Sequence, residues 1–272
     1  MPKLKMDAST HPKVKRTVYN ILFAISFGHF INDLLQSVIP SIYPMIKESF
    51  DLTFTEIGLI TLVFQLSASI LQPFVGRYTD RRPNPFSLAI GMGLSLCGLA
   101  ALSLAPSFPF VLLSVGLIGM GSSVFHPEAS RVAQLASGGR KGLAQSIFQV
   151  GGNAGSAVGP LLAALIIVPH GQRHIQWFCL FALLGILLLS VVGKWYKGAI
   201  DEGLRQKRLK KVAGEAVVPS SKMLGKSKIM RSIVILLVLI FSKYIYMTSM
   251  TSYFTFYLIG KFGLGVQESQ WT

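Results

Sequence analysis

Acidic residues are scarce, with 11 Asp and Glu in 272 residues, and charged side chains of both signs make up only 14%. A soluble domain carries about 25% charged residues, so a water-facing globular surface is excluded for most of the chain. Cysteine is nearly absent as well. Cys97 and Cys179 both lie in apolar runs, with no CxxC pair, no metal-ligand spacing and no disulfide framework. Packing is their expected role, and no metal or other cofactor is expected. There is no Gly-x-Ser-x-Gly, no His-Glu-x-x-His and no pair of catalytic carboxylates, which argues against a membrane enzyme. A cleavable signal peptide is not expected either. The first 16 residues are polar and basic, and the first apolar run is too long and too polar at its centre for an h-region.

What the chain has in abundance is apolar length. Hydrophobic residues make up 51% of it, in runs at about 18–44, 55–75, 86–105, 108–126, 143–168, 175–196 and 232–259. A helical crossing needs roughly 20 residues at 1.5 Å each, so these are seven candidate spans. Breakers mark the joints: Pro83 and Pro85, Pro106 and Pro109, and Pro169 with Gly171. Barrel strands would be about 10 residues long and alternating, which these runs are not. The expected fold class is an all-α polytopic membrane protein.

The first run has polar residues at its middle. His29, Asn32, Asp33 and Gln36 follow the spacing i, i+3, i+4, i+7, which places them on one helical face, with Ser26 and Pro40 continuing the stripe. A carboxylate at mid-membrane costs roughly 2.5–3.5 kcal/mol or more and normally faces a bundle interior or a cavity. A lined pathway and a buried structural network both account for the stripe. Other polar stripes are Gln65, Ser69 and Gln72 on the second run, Gln145, Gln149 and Asn153 on the fifth, and Ser242, Tyr246, Ser249 and Tyr253 on the seventh, with Lys243 beside them. Uncharged amides and hydroxyls are able to bind a polar solute without a permanent charge at depth. Lys243 and His29 are candidates to meet an anion, and Asp33 is the best proton carrier.

Lys and Arg set the orientation. The N-terminal tail, the second-to-third joint (Arg77, Arg81, Arg82), the fourth-to-fifth joint (Arg131, Arg140, Lys141) and the stretch from Lys194 to Arg231 hold 22 of the 26 basic residues. That side is expected to be cytoplasmic, N-terminus included. The asymmetry accounts for the net charge of +15 without nucleic acid as a partner; the lipid bilayer is the partner expected. The expected organisation is a tail at 1–17, a six-span half at 18–197, a basic connector at 198–231 with a short amphipathic helix near 201–212, and a seventh span with an outer loop at 232–272. After the connector the pattern restarts. Phe50-x-Leu52-x-x-x-Glu56 recurs as Phe262-x-Leu264-x-x-x-Glu268, an offset of 212 residues, which suggests a six-plus-six pseudo-repeat of the kind common in transporters.

The stretch Gly76-Arg77-Tyr78-Thr79-Asp80-Arg81-Arg82-Pro83 resembles the second-to-third loop motif of the major facilitator superfamily, with Pro83 where the family usually has Gly. Gly76 is expected to allow close helix approach, Asp80 to cap or pair locally, and the arginines to hold the turn at the cytoplasmic face. Gly151, Gly152, Gly155, Gly159 and Pro160 on the fifth run resemble the family's antiporter motif; as residues they also read as a flat packing seam with a bend at Pro160. Val115 stands in the place of the family's fourth-span arginine, so no role built on that arginine carries over. Within the superfamily, Gly-His-Phe-Ile-Asn-Asp-Leu at 28–34, Tyr-Thr-Asp-Arg-Arg-Pro at 78–83 and Gly-Ser-Ser-Val-Phe-His-Pro-Glu-Ala-Ser-Arg at 121–131 resemble the fosmidomycin-resistance proteins. The last segment is expected to place His126, Glu128 and Arg131 at the cytoplasmic end of the fourth span, with a break or new first turn at Pro127 and Glu128 paired to Arg131 as a latch, or as an ordinary interfacial turn.

The resemblance implies a bacterial inner-membrane secondary transporter that exports a small, polar, anionic drug by proton antiport. Seven crossings from a cytoplasmic N-terminus would place Thr272 outside with most of a second half missing, so this chain by itself is expected not to transport. The alternatives are a non-transporting truncated fragment and a transporter for another small metabolite. A seven-span receptor fits the count, but the cytoplasmic N-terminus and the break at 198–230 oppose it.

Overall fold

A computed structural model describes residues 16–212 and 226–270. Among them are eight α-helices, two 3₁₀ turns and no strand. In chain order the helices are α1 (Tyr19–Ser41), α2 (Tyr43–Ser49), α3 (Phe54–Arg81), α4 (Ser87–Ser103), α5 (Phe108–Ala136), α6 (Lys141–Ile166), α7 (Gln176–Val212) and α8 (Lys226–Phe262). Five segments, in α1, α3, α5, α7 and α8, are long and apolar enough to cross a membrane by length and composition, and α4 is a shorter apolar helix.

Local chemistry sets several of the helix ends. Thr53 begins α3 with a capping box: its hydroxyl accepts the Glu56 N–H at 3.3 Å, and the Glu56 carboxylate accepts the Thr53 N–H at 2.8 Å. The repeated sequence pattern reappears here as geometry. Asp51 at φ +50° turns the chain after α2, and Gly263 at φ +68° turns it after α8. Two residues on, the Glu268 carboxylate accepts the Gly265 N–H at 3.0 Å, as Glu56 does at Thr53. Each pair of positions is separated by the same 212-residue offset as the sequence motif. Only a residue that tolerates the left-handed region suits the turn, and Asp and Gly both do.

The structure departs from the sequence expectations at four joints. The first run is two helices, since α1 ends at Ser41 and α2 starts at Tyr43. Gly76 to Arg81 are the last turns of α3, so only 82–86 form the loop. Pro127 makes no break, and α5 runs through it to Ala136. Neighbouring helices let a proline stay inside a spanning helix by supplying partners for the freed backbone groups. The expected connector at 198–231 is helical from both sides: α7 continues to Val212 and α8 begins at Lys226. The amphipathic stretch near 201–212 is therefore the continuation of α7.

α1 is central. It packs most extensively on α6 and also on α5 and α7, while α5 is flanked by α3 and α4, and α4 leans on α7. Leu22, Ile25, Ile31, Leu34, Leu35, Val38 and Ile39 of α1 are fully buried. Large apolar side chains such as Phe23, Phe74, Leu187 and Phe241 cover the outside, as a lipid-facing surface requires. α8 meets the rest of the bundle at its C-terminal end, where Thr61 bridges Tyr43 (2.8 Å) and Ser252 (3.3 Å) and Gln270 donates to the Ser41 carbonyl at 3.3 Å. Residues 231–247 of α8 are exposed throughout.

Contact between α1 and α6 depends on glycine. A Cβ built on Gly151 would collide with the Ser26 carbonyl, on Gly155 with the Phe30 carbonyl, and on Gly159 with the Ser37 hydroxyl. The two backbones are thus in van der Waals contact along three turns, which any side chain would prevent. Pro160 lies inside α6, which continues to Ile166. Gly155→Val should therefore lower stability by about 1–3 kcal/mol or more. Gly93→Ala, where a methyl meets open space, should leave it unchanged. Thermal unfolding of the two variants in one detergent checks the difference; equal midpoints would show that the seam tolerates side chains.

Candidate functional site

The polar stripe of α1 is packed against α5 and α6. Ser26 donates to the Ile147 carbonyl at 2.6 Å, and the His29 Nδ1 lies 2.8 Å from the Phe148 carbonyl, both on α6. Because a carbonyl only accepts, Nδ1 carries a hydrogen and donates it. The opposite ring nitrogen, Nε2, is 3.1 Å from Oδ2 of Asp33. Asn32 donates its amide to Oδ1 of Asp33 at 3.0 Å. From α5, His126 Nε2 approaches the same Oδ1 to 3.9 Å, and Ser122 donates to Gln36 at 3.1 Å. His29 and Asn32 are buried at 2% and 1% exposure, whereas the Asp33 and His126 side chains keep 18% and 30%. Asp33 thus has one side in the bundle and another that stays accessible.

Aromatic packing fixes the rings. His29 stacks on Phe148 with centroids 4.0 Å apart and meets His126 edge-on at 5.3 Å. Gly152 closes the α6 side, since a Cβ there would strike the His29 ring and sit 2.7 Å from Oδ2 of Asp33. His29, Asp33 and His126 bring one donor atom each within 4.8 Å of one another. A carboxylate oxygen and two imidazole nitrogens at that spacing are close enough to share one small cation. The sequence grouped His126 with the cytoplasmic residues; the structure sets it beside Asp33, because α5 continues through Pro127 and turns His126 toward α1.

Glu128 and Arg131 form a second polar centre. Glu128 is completely buried, with Oε1 at 2.8 Å from Arg131 Nη1 and Oε2 accepting from Ser87 (3.1 Å) and Tyr196 (3.4 Å). Arg131 also pairs with Asp80, near the end of α3. One arginine therefore joins α3 to α5, and one carboxylate joins α5 to α4 and α7. Asp80 pairs with a different helix rather than locally. Gly76, expected as a close-approach glycine, has nothing within 4 Å of a built Cβ among the described residues. Arg81 and Arg82 are exposed.

The remaining expected site residues lie apart from both centres. Gln65 is exposed on α3. Gln149 and Asn153 are exposed on α6 and pair with each other at 3.2 Å. Lys243 is exposed on α8, over the ring of Tyr244. Sequence reasoning missed the Phe148 carbonyl, Ser87 and Tyr196. The first is a backbone group without any residue-type signal, and the other two gain their role only when α4 and α7 meet at Glu128.

Residues 25–271 match the family model for the Major Facilitator Superfamily. The chain is 54% identical over 269 residues to the fosmidomycin resistance protein of Escherichia coli (strain K12), covering 99% of this chain and 64% of that protein. It is 41% identical over 267 residues to an uncharacterized MFS-type transporter of Bacillus subtilis (strain 168), covering 97% of this chain and 63% of that one. The chain thus spans a little under two-thirds of the length of these relatives. Among solved structures, a bacterial homolog to the human lysosomal transporter Spinster, in an inward-facing and occupied conformation, superposes with a TM-score of 0.69 at 16% identity, over 96% of this chain and 57% of that one. That likeness concerns the fold. An all-helical bundle matched along nearly its whole length by the family model, the chain belongs to the Major Facilitator Superfamily.

Proposed function

We propose that this chain forms the first six-helix half and the opening helix of a proton-coupled transporter that exports a small polar or anionic drug such as fosmidomycin across a bacterial inner membrane. The observation that carries the proposal is Asp33, held within the bundle between His29 and His126 yet partly open. A carboxylate so placed is able to take up and release a proton as the site alternates between the two sides. The 54% identity to a fosmidomycin resistance protein supports the substrate class. In this proposal residues 1–17 and the segment between α7 and α8 lie in the cytoplasm, residues 18–197 are one half, and α8 belongs to the next. Asp80, Arg81, Arg82, Glu128 and Arg131 form the cytoplasmic gate.

Transport by residues 1–272 alone is not expected. α8 leaves Lys243 and most of its length exposed, and an intramembrane lysine facing lipid is costly. Substrate in such transporters sits between two six-helix halves, so a second bundle is needed to cover that face. Expression of residues 1–272 in a drug-sensitive bacterium should give no fosmidomycin tolerance, whereas a hybrid with the C-terminal remainder of the Escherichia coli relative should restore it. Tolerance from residues 1–272 alone would refute the need for a second half.

In the same hybrid, Asp33→Asn should abolish efflux driven by a pH gradient while leaving insertion and exchange of bound substrate largely intact. A variant with the parent's pH dependence would remove Asp33 from coupling.

Removal of Arg131 leaves the buried Glu128 carboxylate without its cation, and breaking such a pair costs about 3–5 kcal/mol. Arg131→Leu should therefore unfold at a clearly lower temperature than the parent. Asp80, with a side chain 70% exposed, should cost little stability on substitution by Asn but slow transport more than neutralising Lys207, Arg208 and Lys210 together. Equal transport losses at matched expression would remove Asp80 from the gate.

A further inference from the structure

The contacts around His29 leave its hydrogen count overdetermined. The Nδ1 hydrogen is committed to the Phe148 carbonyl. In a neutral imidazole the other nitrogen is then a bare acceptor, yet it faces a carboxylate oxygen at 3.1 Å. Two lone pairs at that separation repel, and low surrounding polarity strengthens the repulsion. The contact is satisfied only when a further proton lies between Nε2 and Oδ2, on the ring as imidazolium or on the oxygen as a carboxylic acid.

We propose that His29 and Asp33 together bind one transported proton, shared between Nε2 and Oδ2, so that the coupling acid is this pair and not Asp33 alone. The proposal deepens the coupling role assigned to Asp33 above and rests on that assignment. Among the described residues no α6 side chain donates to Asp33, and Gln149 donates to Asn153 instead. The residue against Oδ2 there is Gly152, and no larger side chain fits. The Phe148 ring, stacked on His29 with centroids 4.0 Å apart, holds the imidazole between the Phe148 carbonyl and Oδ2. The titratable groups facing Asp33 are His29 on its own helix and His126 on α5. α6 presents Phe148 and Gly152, α7 packs on α1 through Gly185 and Leu189, and beyond α8 Gln270 donates to the Ser41 carbonyl at the far end of α1.

The geometry also gives the pair's response to losing its proton. Once the bridge is empty, Oδ2 and Nε2 repel, and the remaining available donor for Asp33 is His126. Its 3.9 Å separation is too long for a hydrogen bond, so the His126 ring or the Asp33 carboxylate must turn for the handover.

The test uses residues 1–272 in lipid nanodiscs, labelled with ¹⁵N on histidine and ¹³C on the aspartate carboxyl, after EDTA treatment. His29 is assigned through His29→Gln, and the spectra are read at neutral pH. The expected result is a doubly protonated His29 ring beside an ionised Asp33, or a singly protonated ring beside a protonated Asp33; either shows the shared proton. Asp33→Asn should leave His29 with its Nδ1 hydrogen only, since the asparagine amide is able to donate to Nε2. On alkalinisation the wild type should release one proton per chain that His29→Gln does not, and the His126 signal should shift with that release. A neutral His29 beside an ionised Asp33 in the wild type would overturn the proposal without recourse to any variant. So would a His29 spectrum changed by EDTA, because the shared cation would then be a metal. No transport is measured in these spectra, so the pair is refutable while efflux through Asp33 stands, and a failed efflux assay leaves the spectra as they are.

Discussion

A carboxylate inside an apolar bundle has to be given partners, and much of the packing around α1 follows from supplying them to Asp33. Its own helix contributes His29 one turn back and Asn32 alongside; α5 contributes His126. His29 in turn is held by a backbone carbonyl of α6. That carbonyl comes within reach only because α6 lies against α1 backbone to backbone. The glycines at 151, 152, 155 and 159 are what permit it, since a Cβ at any of them would strike α1. Small residues on α6 and a charge on α1 are therefore two sides of one arrangement. Close approach places the carbonyl, the carbonyl orients the ring, and the ring faces the acid.

The second polar centre obeys the same physics with a different outcome. Glu128 is wholly buried, with Arg131 ion-paired to one oxygen and Ser87 and Tyr196 donating to the other. Such a network fixes the relative positions of α4, α5 and α7, because each partner left unpaired carries a desolvation penalty. Asp33 differs in keeping part of its side chain accessible and in having a partner, His126, beyond hydrogen-bond distance. One acid is locked and the other has an alternative. Arg131 adds an exposed pairing to Asp80 of α3, a contact that water competes for and that is cheap to break. Exposure thus rises along this chain of contacts, from none at Glu128 to 70% at the Asp80 side chain.

Composition and run length determined the class of this protein, because a bilayer accepts few structures and demands long apolar helices. The polar face of α1 was legible from helical spacing alone, since residues three and four apart share a face in any helix. The pseudo-repeat was legible too, and its physical content is a left-handed turn followed by a carboxylate that caps the next N–H, seen at Asp51 and Thr53 and again at Gly263 and Gly265. What only the tertiary structure decided is which face meets which. His126 joined Asp33 instead of Arg131 because α5 passes through Pro127 unbroken, and proline's tolerance within a spanning helix depends on neighbours. Gln65, Gln149, Asn153 and Lys243, polar residues on apolar runs like those of α1, stayed outside the cluster, for spacing fixes a face but not what that face is turned toward. The Phe148 carbonyl had no sequence signal at all: a backbone group becomes a ligand only when another helix is close enough to use it.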